Sequence, residues 1–201
     1  MKKIGILVLA LTLFGFGLYE FKISDEERTK AIDHLTQTRE NLLSVVEGLS
    51  DEQLNYKPSE EAWSIAECVE HLAISENAIF EAVSGAIQVT ADASRRTEVA
   101  MTDEELLGMI TNRSNKIKTS EAFEPSGKFG SYEETLDAFL NKRAENIQYV
   151  QTTEDDLRNH YSQFPFGTLD AYQVILFMSG HSERHTQQME EVMADPGFPQ
   201  E

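Results

Sequence analysis

The chain has 201 residues, 40% hydrophobic and 26% charged, enough for one domain with its own core, which excludes wholesale disorder. With 17 Lys+Arg against 35 Asp+Glu, the formal charge of −18 repels phosphate backbones and argues against nucleic acid as a partner. The single cysteine, Cys68, excludes an internal disulfide and any cysteine-rich zinc site, and leaves five histidines as the nitrogen donors.

Lys2 and Lys3 precede an apolar run at residues 4–18. A basic start followed by about 7–15 apolar residues has the form of a secretory signal, and the run falls short of the roughly 20 residues of a spanning helix. Residues 1–22 are therefore expected to be a signal peptide or N-terminal anchor. The domain at residues 23–197 would then sit outside the cytoplasm.

The rest of the chain reads as helices with written start signals. A Ser or Thr followed three residues later by an acid or amide can satisfy two orphan N–H groups. Ser24 with Glu27 opens a first long helix, to about residue 48, and Ser50 with Gln53 opens a short turn. Ser64 with Glu67 opens a second long helix, to about residue 88, and Thr102 with Glu105 opens a shorter one ending near Asn112. Ser131 with Glu134 opens a third long helix, to about residue 152, and Thr153 with Asp156 opens another short turn. Thr168 precedes a fourth long helix that must stop before Pro196. No window shows sustained period-2 alternation, so no sheet is predicted.

Apolar residues recur at spacings of three and four. The first long helix has Ala31, Leu35, Leu42, Val45, Val46 and Leu49; the third has Tyr132, Leu136, Phe139, Leu140, Ile147 and Val150. The fourth has Leu169, Tyr172, Ile175, Met178, Met189 and Val192. Each set is one stripe opposite a charged face. Four such helices imply an all-α four-helix bundle. About forty residues separate the second and third helices, including a polar loop with Glu124-Pro125-Ser126-Gly127. So long a crossover lets those two helices run parallel.

Two histidines, His181 and His185, lie four apart in the fourth helix, one above the other on its apolar face with Ile175, Met178 and Met189. Buried imidazoles are costly unless something satisfies them, and a divalent metal does so. A third ligand should come from another helix. His71 follows Ile65, Cys68 and Leu72 on the inner stripe of the second. At about 1.5 Å per residue, antiparallel second and fourth helices bring His71 within about 7 Å of the pair's level, against about 12 Å if parallel. Spacing alone leaves two readings open, a metal site and core-edge histidines hydrogen-bonded to side chains or water.

Trp63-Ser64-Ile65-Ala66-Glu67-Cys68-Val69-Glu70-His71-Leu72, then Phe166-Gly167-Thr168, then His181-Ser182-Glu183-Arg184-His185-Thr186-Gln187-Gln188 together resemble the DinB-like superfamily. The resemblance covers residues 25–193, nearly everything after the signal. It implies a four-helix bundle running up-down-down-up, with a divalent metal held by His71, His181 and His185. Imidazole ligands suit zinc, nickel or iron. Relatives in the family include zinc-dependent transferases of small thiols and proteins called metal-dependent hydrolases.

Three neutral imidazoles leave at least one coordination position open, the catalytic rather than the closed structural pattern. Such a position takes water and makes hydroxide available near neutrality. Export weighs against small-thiol transfer, so hydrolysis is the expected chemistry, on a small-molecule substrate the sequence does not name. Small-thiol transfer and a non-catalytic metal- or ligand-binding bundle are the alternatives. Ser182 occupies the place where H-E-x-x-H proteases carry glutamate, and Glu183 points about 200° around the helix, so that mechanism is not supported.

Around the site, Glu67 can orient His71 or simply close the Ser64 cap. Gln188 lies near the His181/His185 face and can hydrogen-bond there or stand as a surface amide. Trp63 is expected to plug the bundle end, Cys68 to be a small buried hydrophobe, His34 to be partly buried and structural, and His160 to be an exposed loop residue. The Phe164-Pro165-Phe166-Gly167 segment either walls a pocket or packs onto the bundle. A homodimer through a bundle face is the expected assembly.

Overall fold

The computed structural model describes residues 22–114 and 118–200. The apolar segment read as a signal or anchor lies outside the described residues, Lys22 apart. Four long helices dominate: α1 (Asp25–Val46), α3 (Ile65–Ile87), α5 (Tyr132–Thr152) and α6 (Ala171–Met193). Between them lie the short helices α2 (Asp51–Asn55) and α4 (Asp103–Thr111), and 3-10 turns at Ala93–Glu98 and Glu121–Phe123. Among the described residues no helix is long and apolar enough to cross a membrane.

The start signals work as their chemistry requires. At Ser24, Ser50, Ser64, Thr102 and Ser131 the hydroxyl accepts the backbone N–H three residues on, and the Glu or Gln there reaches back to the cap's own N–H. Two expected starts differ. Thr153 Oγ1 donates to Asp155 (2.7 Å), Asp155 N–H donates back to Thr153 Oγ1 (3.1 Å), and the Asp156 carboxylate takes the Asn159 N–H, so the chain bends there without forming a helical turn. The last helix follows Thr168 as expected but starts only at Ala171, capped by Asp170, whose side chain accepts the Gln173 N–H at 2.7 Å.

The reason is a hairpin where no sheet was predicted. Strands β1 (Tyr161–Phe164) and β2 (Gly167–Asp170) pair antiparallel, joined by Pro165 and Phe166. Gly167 begins β2 at φ 137°, a conformation that favours glycine. The hairpin packs beside the start of α6, with Phe164 and Phe166 against Phe177, at ring-centroid distances of 5.3 and 5.5 Å.

Contacts along the long helices give their directions. The α1 residues Glu27, Thr38 and Asn41 meet Tyr172, Ser179 and Glu183 of α6 in the same order, so α1 and α6 ascend together. Glu76 and Phe80 of α3 meet Arg143 and Tyr149 of α5 in the same order, so α3 and α5 descend together. Arg28, at the start of α1, donates to the Val150 and Thr153 carbonyls at the end of α5. The first and last helices are therefore antiparallel to the middle pair, and the long connection carrying α4 spans the length of the bundle between α3 and α5. Leu35, Leu42, Ile65, Leu72, Phe139, Leu169, Tyr172 and Ile175 are fully enclosed in the core.

Two features bring α6 close to its neighbours. A Cβ at Gly180 would collide with Ile110, so glycine lets α4 press onto α6 one residue before His181. On the other side Arg143 is completely buried. It pairs with both oxygens of Glu76 (2.6 and 2.8 Å) and donates to the Leu35 carbonyl, Thr38 Oγ1 and Ser182 Oγ.

Candidate metal centre

Helix α3 carries His71 inward on the stripe that also holds Cys68 and Leu72, and α6 carries His181 and His185 one turn apart. The antiparallel pairing of α3 and α6 sets all three imidazoles at one level. The His71 ring lies 5.0 Å from that of His181 and 4.5 Å from that of His185, and the last two lie 4.7 Å apart. One nitrogen from each falls within 4.8 Å of the others, and among the described residues this is the one such group of three or more His, Cys, Asp or Glu donors. His71 and His185 are buried and His181 is half-buried.

The outer nitrogens determine where the inner lone pairs point. His71 Nδ1 lies 2.8 Å from the Phe123 carbonyl, which can only accept, so Nδ1 carries the proton and Nε2 presents its lone pair. His185 Nδ1 lies 3.0 Å from Gln188 Oε1. Arg113, which can only donate, approaches the same Gln188 atom at 3.4 Å and so identifies it as the amide oxygen. His185 Nδ1 is therefore also a donor. His181 Nε2 sits 3.2 Å from His71 Nε2. Two nitrogens each about 2.0–2.1 Å from a tetrahedral zinc are separated by about 3.3 Å, so the observed gap fits a shared ion.

The protonation state fits as well. Burial lowers the His71 pKa, with the Phe123 hydrogen bond opposing it. Burial brings His181 down to about 3, reinforced by the positive charge that His71, Arg184 and Arg143 would oppose to it. Burial, with His181 and His71 adding to it, holds His185 well below the ordinary histidine range. All three are thus neutral near pH 7, the form in which imidazole binds a metal.

Aromatic rings enclose the cluster. Trp63 lies 4.9 Å from the His71 ring and is stacked 6.0 Å from His185, so it packs on the histidines rather than only plugging the bundle end. Phe177 stacks 5.9 Å from His181, and the Phe164–Phe166 pair continues that wall through the hairpin to a partly exposed Phe166. Cys68 is fully buried one turn from His71 but stands outside the cluster, and burial pushes its thiol up to about 12.

Other residues singled out in the sequence fall into place around this centre. Glu67 closes the Ser64 cap at 2.8 Å and pairs with Lys57, while the acceptor on His71 is the Phe123 carbonyl. Gln188 is not a free surface amide, since its oxygen holds His185. His34 is half-buried on α1, as expected. His160 is half-buried rather than exposed, with Nδ1 3.0 Å from the Ala86 carbonyl.

The Phe123 carbonyl left no trace in the sequence, because a backbone acceptor has no residue signature. Glu70 was also missed. It is a buried carboxylate beside His71 that accepts the backbone N–H groups of Ser126, Gly127 and Lys128 at 3.1, 3.0 and 2.8 Å. Burial alone would raise its pKa, but those donors outweigh burial and hold it below the ordinary value. Glu70 lies on the face of α3 turned away from the Ile65–Cys68–Leu72 stripe and is covered only by the crossover, so the helical pattern carries no signal for it.

Among solved structures, the fold is similar to that of YfiT from Bacillus subtilis, described as a probable metal-dependent hydrolase with an unusual four-helix bundle topology. The two share a TM-score of 0.52 and 18% identity over 88% of this chain and 91% of that one. Among curated proteins, the chain is 29% identical over 150 residues to the uncharacterized protein YuaE of Bacillus subtilis, covering 73% of this chain and 87% of the relative. The family model described as the DinB superfamily matches residues 34–189, which include the whole histidine cluster, all of α3, and α6 as far as Met189. The chain belongs to the DinB superfamily.

Proposed function

We propose that this protein is a metal-dependent hydrolase whose divalent ion (zinc, nickel or iron) is held by His71, His181 and His185 through their Nε2 atoms. One observation carries the reading. Two of the three imidazoles have Nδ1 committed to an outer acceptor, so neutral lone pairs converge in a buried place where no Cys, Asp or Glu of the described residues completes the set. When bound there, the ion would supply Lewis acidity and lower the pKa of water toward neutrality. The chain's own residues do the rest. The Phe123 carbonyl and Gln188 orient two ligand rings. Trp63 and Phe177 cover the ring faces and exclude bulk water. Half-buried His181 leaves the side by which a small substrate would approach. The description of YfiT supports the reading by analogy of fold.

The domain is also proposed to work outside the cytoplasm, from the basic start and apolar run at its N-terminus. A homodimer is the proposed assembly, with no role for nucleic acid.

The test is elemental analysis of tag-free protein, followed by a panel of ester, amide and phosphoester substrates. One divalent ion per chain, lost in His181→Ala together with hydrolysis of some member of the panel, is the expected result. A metal retained at full stoichiometry in that variant overturns the ligand set. Metal loss with a collapse of folding and no hydrolysis by the loaded wild type overturns the catalytic reading in favour of a structural ion.

A further inference from the structure

The crossover between α3 and α5 passes over the histidine centre, and two adjacent residues of α3 hold it there. His71 takes the carbonyl of Phe123 through Nδ1, at the end of the Glu121–Phe123 turn. Glu70, 8% exposed, takes the N–H groups of Ser126, Gly127 and Lys128, with Ser126 Oγ at 3.5 Å as well. Neighbouring helical residues point about 100° apart, so the two grips fall on different sides of the same short segment. Among the described residues, the hydrogen bonds that tie residues 118–130 to the rest of the fold all end on Glu70 or His71.

We propose that Glu70 is a positioning residue of the metal centre: by gripping residues 126–128 it keeps the Phe123 carbonyl on His71 Nδ1 and so determines which ring nitrogen is left to bind. The inference rests on the metal reading above. A carboxylate suits this task because it offers only acceptors to three converging N–H donors. Glutamine in its place keeps one acceptor and turns an amide NH2 toward the donors. The grip then loosens, the Phe123 carbonyl is no longer held, and His71 becomes free to carry its proton on Nε2, where it cannot bind.

The experiment compares full-length wild type with Glu70→Gln by two readouts. In metal-free protein near neutral pH, the imidazole 15N shifts report which nitrogen of His71 is protonated. The wild type is expected to show one Nδ1-protonated tautomer, and Glu70→Gln a mixture. By chelator competition, Glu70→Gln is expected to bind zinc about 10–100-fold more weakly. Tyr172→Phe, which loses a hydrogen bond to the Glu27 carbonyl near the hairpin, controls for general loss of stability and should keep wild-type affinity. If Glu70→Gln does not fold, Glu70→Asp keeps the charge but shortens the reach, and should show the same two changes at smaller size. A single unchanged tautomer, or zinc affinity within about twofold of wild type, overturns the proposal. A wild type that binds zinc while Glu70→Gln is unaffected defeats this inference alone; a wild type that binds no divalent ion defeats it together with the metal reading.

Discussion

Two buried polar clusters share helices α3 and α6. Around Arg143 all five guanidinium N–H groups find acceptors, and the charge is matched by Glu76, which also receives Asn146. Around the three histidines, the outer Nδ1 atoms of His71 and His185 are held, while His71 Nε2 faces His181 Nε2 across 3.2 Å with the Ser75 hydroxyl at 3.4 Å. At most one N–H, on His181, can lie in that gap. The Arg143–Glu76 pair is satisfied by protein groups, and only Asn146 Oδ1 beside it is left without a donor. The second cluster, on the metal reading proposed above, is arranged to hold an ion. Burying polar groups is therefore not in itself a sign of a site; the sign is a buried set whose remaining valences agree in sign.

The sharpest way to break the comparison is to damage the Arg143 cluster. Arg143→Met leaves the Glu76 carboxylate buried without its partner and should cost about 3–5 kcal/mol in urea denaturation. Adding Glu76→Leu should recover most of that loss, because no charge is then stranded.

The histidine cluster should answer differently. At a free-metal concentration about 100 times Kd, the wild type should gain about 2.7 kcal/mol of stability, and His181→Ala should gain none, as read by melting with and without zinc. Gln188→Ala frees the His185 ring without touching a donor atom. It should weaken zinc binding about 10–100-fold in a chelator titration. The last difference is in pH. The folded pKa of His181 is depressed to about 3, below the value of about 6.5 in the unfolded chain, so acid loads the unfolded state first. Metal-free protein should therefore lose stability as pH falls from about 6 toward 4, by up to about 1.4 kcal/mol per pH unit for each histidine kept neutral. His181→Ala should flatten that slope by about one proton, measured by denaturation across the range.

The same contrast separates what could be read from the sequence from what could not. Capping boxes were legible because their chemistry spans three residues of chain, and all five sites with a Glu or Gln partner closed as written. The hairpin was not, because four-residue strands are too short to show a period and are stabilised by Phe177 on a helix they precede. His71, His181 and His185 were visible through their places on inner stripes. Their outer partners came from a loop carbonyl 52 residues away and from a glutamine whose role depends on Arg113. The Arg143–Glu76 pair was overlooked although a signal existed. Arg143 sits between Phe139 and Ile147, and Glu76 between Leu72 and Phe80, each at a spacing of four on an otherwise apolar stripe.

Trp63 has a practical consequence. It is the one tryptophan in the chain, and its indole lies against two of the three histidine rings. Its fluorescence is therefore a built-in optical reporter of that centre, free of interference from other indoles. A paramagnetic ion such as copper or nickel would quench it strongly, while zinc would leave the emission largely intact, so titrations with different ions could be followed without a label.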